Sequence, residues 1–268
     1  MNRFAVVRWL AACVFLCSAT TGFAQNNSPY MSSIPVQRAA TEQAVSNGHA
    51  QMTLHVNRPE LSVAALSGID GVTIINTDQS TVSIALAQAA TVAGAPQEKY
   101  RHSTFVVDYD EPSVQSIAAD LRAVLEQKPT ENDLLKYVYE HIDDKTYSRT
   151  FDYASRIAES GAGDCTEHAV LLAALARASG YYARVVIGTL LLDTESEPQA
   201  FGHAWTEIHD GSDWQIRDAT LPADDSAIRN ISYLPLAVLD DEGPGYSIAL
   251  IRSVSMMPSR ISELAIQD

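Results

Sequence analysis

Cysteine is scarce, with three in 268 residues, at positions 13, 17 and 165, and this excludes a disulfide-stapled scaffold. Basic side chains are few as well. The chain has 18 Lys and Arg against 33 Asp and Glu, and a formal net charge of −15 argues against nucleic acid as a partner. Only 13 glycines and 11 prolines are present, with no fixed-period repeat and no glycine-rich phosphate loop, so collagen-like and low-complexity architectures are excluded. What is there is ordinary for a globular protein: 46% hydrophobic and 19% charged residues, enough for one large domain or two small ones around a real core.

Arg3 and Arg8 precede an apolar run from Trp9 to Cys17, and Gly22-Phe23-Ala24 sets small residues where a signal peptidase reads them. The expectation is an export signal over residues 1–24 and a periplasmic or secreted product. No stable membrane anchor is expected. The apolar run is short for a bilayer, and Leu16-Cys17 lacks the small residue that precedes a lipid-anchored cysteine. Cleavage before Gln25 leaves 16 basic against 33 acidic side chains, a formal −17, with Cys165 as the sole cysteine and no intramolecular disulfide.

Residues 25–50 are polar and read as a flexible lead-in. From 51 to 110, β-branched alternating runs at Met52 to Val56, Gly71 to Asn76, Ser80 to Ala87 and Ser103 to Asp108 predict a small antiparallel β-rich unit. Helical spacing then begins. Glu111-Pro112-Ser113 opens a helix to about Gln127, and Pro129-Thr130 opens a second whose stripe is Leu134, Leu135, Val138, Tyr139 and Ile142. Near the end, Tyr246 to Val254 is apolar and its periodicity fits a strand or a short helix equally.

Gly161-Ala162-Gly163-Asp164-Cys165-Thr166-Glu167-His168 leads into an Ala- and Leu-rich helix that stops at Gly180. Asp164 and Glu167 have capping-box spacing, which places Cys165 in the first turn. There the helix dipole and unpaired amides favour an anion and are expected to lower the thiol pKa. The flanking glycines are expected to leave space for another backbone.

A thiolate attacking a carbonyl needs a proton carrier, and histidine is the side chain suited to it near neutrality. Phe201 to Ile208 and Trp214 to Thr220 read as paired strands of a hairpin, with His203 on the first and Asp218 on the second. A two-residue turn at Asp210-Gly211 sets His203 directly opposite Asp218. A four-residue loop over 210–213 sets them diagonally on the same face, still within reach. An Asp so placed fixes the imidazole tautomer and stabilises the imidazolium.

Gly-Asp-Cys-Thr-Glu-His-Ala at 163–169, Ala183-Arg184-Val185-Val186-Ile187-Gly188, His203-Ala204-Trp205 and Asp218-Ala219-Thr220 together resemble the bacterial transglutaminase-like domains, a branch of the papain-like cysteine enzymes. The resemblance covers about residues 110–222. It implies an α+β fold in which the Cys-bearing helix packs on an antiparallel sheet, within a catalytic domain at 111–222 followed by a C-terminal extension, 223–268, packed on the core. It implies Cys165 as nucleophile, His203 as general base and then acid, and Asp218 as the orienting carboxylate.

The expected function is cleavage of amide bonds in a peptide or protein substrate, through a thioester and with the Cys165 amide in the oxyanion site. Hydrolysis is preferred over acyl transfer to amines, and no cofactor is expected. The competing expectation is a non-catalytic peptide-binding or assembly module on the same scaffold. Trp205 is a candidate cleft wall, although an aromatic in a strand is more often packing. Cys165, His168 and His203 as zinc ligands lack a second thiolate and an evident fourth ligand, so no metal is expected. Asp224-Asp225 and Asp240-Asp241-Glu242 lack the spacing of a calcium loop and read as solvated turns.

Overall fold

The computed structural model describes residues 31–40, 49–145, 151–194, 197–221, 228–240 and 242–267. The expected export signal at 1–24 and the acidic residues Asp224, Asp225 and Asp241 lie outside the described residues. In chain order the elements are β1 (Ser32–Ile34), β2 (Val36–Arg38), β3 (Ala50–His55), α1 (Pro59–Leu66), β4 (Ile69–Thr77), β5 (Thr81–Val92), α2 (Pro112–Leu125), α3 (Glu131–His141), α4 (Ala154–Ser160), α5 (Cys165–Ala178), β6 (Tyr182–Thr194), β7 (Pro198–His209), β8 (Trp214–Arg217), β9 (Ile228–Val238), α6 (Tyr246–Val254) and β10 (Arg260–Ile266). The fold is α+β.

The sheet runs β1-β7-β6-β9-β5-β3-β10-β2, with β8 added to β7 and β4 to β5. Its centre is antiparallel: β6 pairs with β7 on one side and β9 on the other. The twelve-residue β5 serves both halves, pairing along Thr81 to Leu86 with β3 and touching β9 in parallel through Ala89 and Tyr233. Pro235 sits inside β9 opposite Gly188, at a shift in register. A proline donates nothing to a ladder, so it is tolerated at such an irregularity. Gly188 is required there, because a Cβ would lie 2.2 Å from the Leu234 carbonyl oxygen and 2.7 Å from the Trp205 ring.

Helix α5 is the hub. All its residues up to Arg177 are buried; from Ala169 to Ala176 the helix is apolar all round, and its buried polar side chains, Thr166, Glu167, His168 and Arg177, are confined to its two ends. Its alanines let β6 and β7 approach one side while Val114, Ala118, Leu134, Val138 and Ile157 of α2, α3 and α4 cover the other. Thr206, on the α5-facing side of β7, donates to the Ala169 carbonyl at 2.8 Å. A second cluster, built on Met52, Leu54, Leu66, Ile84 and Leu86, fills the β-rich half.

Several expectations are corrected. Within the lead-in, residues 32–38 form strands: β1 pairs with β7 and β2 with β10, because Ile34 is buried in the second cluster. Ser103 to Asp108 is not a strand. Its hydrogen bonds go to turns and not to a ladder: the Thr104 amide donates to the Val107 carbonyl, the Val107 amide to the Thr104 hydroxyl and the Val106 amide to the Glu242 carbonyl. The short helices α1 and α4, of eight and seven residues, span too little chain for a helical period to register, although Ala154, Ile157 and Ala158 of α4 are buried on one face. Residues 246–254 resolve as helix α6, leaving Ile248 and Ile251 exposed.

Candidate active site

Cys165 is the first residue of α5, held there by a fully formed capping box. Asp164 Oδ1 accepts from the Thr166 amide at 2.8 Å, and Glu167 Oε2 accepts from the Asp164 amide at 2.9 Å. Glu167 Oε1 also accepts from the Asp152 amide at 2.9 Å, tying the segment before α4 to the helix mouth. The room beside Gly163 is taken by this side chain and not by another backbone: a Cβ at 163 would lie 2.2 Å from the Glu167 Cβ. Burial, and then the Asp164 charge, push the Glu167 carboxyl up to about 7.

The thiol is fully buried within the α5 cluster. Burial pushes its pKa well above the ordinary thiol value, and the Asp164, Asp218 and Glu167 charges add to this. Against them works the Ala204 amide, which donates to the sulfur. The expected lowering by the helix terminus is therefore reversed in this closed arrangement, because loss of water and three carboxylates outweigh a partial positive charge. The Ala204 contact sets the sulfur against β7 at the residue following His203.

The hairpin has the four-residue loop, since β7 and β8 pair Thr206 with Arg217 and His209 with Trp214. Asp218, just beyond β8, is diagonal to His203 and on its face. His203 Nε2–H donates to Asp218 Oδ2 at 2.7 Å, with both side chains buried. The same carboxylate accepts from the Thr220 amide at 2.9 Å and from the Tyr233 hydroxyl at 2.9 Å. Burial alone would raise Asp218, but the His203 charge and these donors together hold it below the usual carboxylate range. Tyr233 comes from β9, outside the segment where the sequence carried any signal.

Trp205 is 1% exposed and belongs to a cluster with Val186, Leu190 and Tyr233, so it is packing and not an open cleft wall. Its ring lies 6.2 Å from that of His203 at 25° and props it from behind. His168 Nδ1–H donates to the Asp164 carbonyl at 2.6 Å. Burial lowers its pKa to about 4, leaving it neutral near pH 7 as a structural partner of the helix mouth. Among the described residues no group of three or more His, Cys, Asp or Glu side chains is placed to hold a metal ion.

A helix with cysteine at its N-terminus, packed on an antiparallel sheet that carries a bonded His–Asp pair, defines the papain-like class of α+β folds. Residues 114–219 match the family model described as the transglutaminase-like superfamily. No curated protein matches the chain. Among solved structures the chain is similar to a candidate cysteine protease from Cytophaga hutchinsonii, with 14% identity over 72% of this chain and 76% of that one and a TM-score of 0.42. It is also similar to the periplasmic domain of TgpA from Pseudomonas aeruginosa, with 19% identity and a TM-score of 0.34. That match covers 52% of this chain and spans about half, 53%, of the other. Among the described residues no helix is long and apolar enough to cross a membrane.

Proposed function

We propose that the protein is an exported thiol enzyme that cleaves amide bonds of peptides or proteins, with Cys165 as nucleophile, His203 as proton carrier and Asp218 as its orienting carboxylate. The observation that carries this reading is the 2.7 Å hydrogen bond between His203 Nε2 and Asp218, on the strand whose Ala204 amide meets the Cys165 sulfur. With Nε2 committed to Asp218, Nδ1 is the ring atom that takes the thiol proton. The sulfur then bonds to the substrate carbonyl carbon, and the C–N bond breaks as His203 returns the proton to the leaving nitrogen. Cys165 is the first residue of α5, so its amide has no acceptor within the helix and suits the oxyanion.

Water attacking the thioester restores the thiol and gives hydrolysis, which we prefer to transfer onto an amine. The arginines and apolar run of residues 1–24 support export. A second reading, a peptide-binding or assembly module that does not turn over, is favoured by the complete burial and raised pKa of the thiol. The two are separated by incubating the full chain with a peptide library and a labelled amine and reading products by mass spectrometry. Cleaved or amine-tagged peptides that vanish with Cys165→Ala support the enzyme. Products unchanged by that substitution, or none from the wild type, sink it.

A further inference from the structure

Beside the mouth of α5 lies a groove of about 460 Å³ walled by Phe151, Leu250, Ile251 and Val254. Asp164 and Thr166, the residues on either side of Cys165, also line it. Among the described residues that line it there is no Lys or Arg. Two of its apolar walls stand in water: Ile251 is 68% exposed and Val254 41%. The opposite edge of the same helix is fixed, with Tyr246 stacked on Phe151 at 5.1 Å and Tyr246, Ala249 and Leu250 packed on the cluster that holds the thiol. One wall is therefore continuous with the covering of Cys165, and the other is open.

We infer that this groove is a specificity subsite that receives an apolar side chain of the peptide presented to Cys165, and that α6 is the element that selects it. The inference rests on the thiol-enzyme reading for the identity of its occupant. The groove adjoins the two residues that bracket the nucleophile, so a peptide held there has a neighbouring amide at the helix mouth. Its volume suits one large side chain with adjoining backbone. Apolar walls without a cation favour leucine-like or aromatic groups and disfavour carboxylates, which would lose water with no partner. Seating such a group removes Ile251 and Val254 from water, the source of the binding free energy.

The test uses the full chain carrying Cys165→Ala and two fluorescent acetylated peptides, identical except for leucine or glycine at one central position, followed by anisotropy. The leucine peptide is expected to bind at least about tenfold more tightly. Adding Ile251→Ser and Val254→Ser, both at exposed positions, is expected to erase the preference without moving the thermal midpoint. Equal binding of the two peptides, binding of neither, or a preference that survives both substitutions overturns the inference. So does a wild-type dimer in sedimentation that the serine variant dissociates, since a second copy then fills the groove. Leucine preference in a protein that shows no Cys165-dependent turnover strikes the catalytic reading alone and supports the groove as a peptide subsite.

Discussion

At the scale of single residues, the site is a set of buried charges whose protonation is set by what each touches. Glu167 is held at about 7 against an ordinary 4.5, so the folded protein keeps a proton that the unfolded chain releases. Stability from this group is fully present below pH 4.5 and is lost as pH rises through about 7. His168 works in the opposite sense, since its pKa falls from 6.5 to about 4 and its contribution is lost as pH falls through that window. The difference between wild type and Glu167→Gln isolates the first effect. Urea midpoints measured from pH 4.5 to 8 are expected to show the wild type losing ground relative to the variant as pH rises, and parallel profiles would refute the assignment. For the proposed reaction, Asp218→Asn keeps the shape but offers His203 the wrong hydrogen-bond polarity. A fall of about 10³–10⁴-fold in kcat/KM is expected, with far-UV circular dichroism unchanged. Tyr233→Phe removes one of three donors to that carboxylate and is expected to cost about tenfold or more. Activity untouched by either change would separate the His–Asp pair from catalysis.

At the scale of elements, what the sequence discloses is what is local. The α5 start is legible because the capping box lies within four residues, and the His203–Asp218 pairing is legible because every even-length loop leaves the two on one face. The thiol environment is not, because the buried surroundings that raise its pKa come from segments distant in sequence. Tyr233 is invisible for the same reason: its partner Asp218 is reached only after β9 has crossed to the far side of β6. The Gly163 contact is an element-scale constraint that spacing alone misreads. The Glu167 side chain of the capping box lies where a Cβ would sit, so Gly163→Ala must displace Glu167 and with it the first turn of α5. A loss of about 1–3 kcal/mol is expected from thermal or urea unfolding, comparable to an overpacked core. A neutral Gly163→Ala would mean that the Glu167 side chain has another place to go.

At the scale of the molecule, the C-terminal segment is fastened to the half built around α5 by charge as well as by apolar contact. Arg177, near the end of α5, makes a bidentate pair with Glu242 at 2.7 Å for each bond, and both are almost completely buried. The same guanidinium donates to the carbonyls of Ala183 at 2.9 Å and His102 at 3.0 Å, and Glu242 also accepts from Thr104 at 2.9 Å. One cation thus joins α5, β6, the loop before α2 and the approach to α6, and Glu242 precedes the Gly243-Pro244-Gly245 turn from which α6 starts. Removing one partner leaves a buried charge with nothing opposite, whereas replacing both by apolar groups removes the charges together. Glu242→Leu is therefore expected to cost about 3–5 kcal/mol of stability. Arg177→Met with Glu242→Leu should recover most of that, short of the cost of two carbonyls left without their donor. Urea titrations of the two variants against wild type decide it. A double variant as unstable as Glu242→Leu would show that the hydrogen bonds to Ala183 and His102, and not the ion pair, hold the two halves in register.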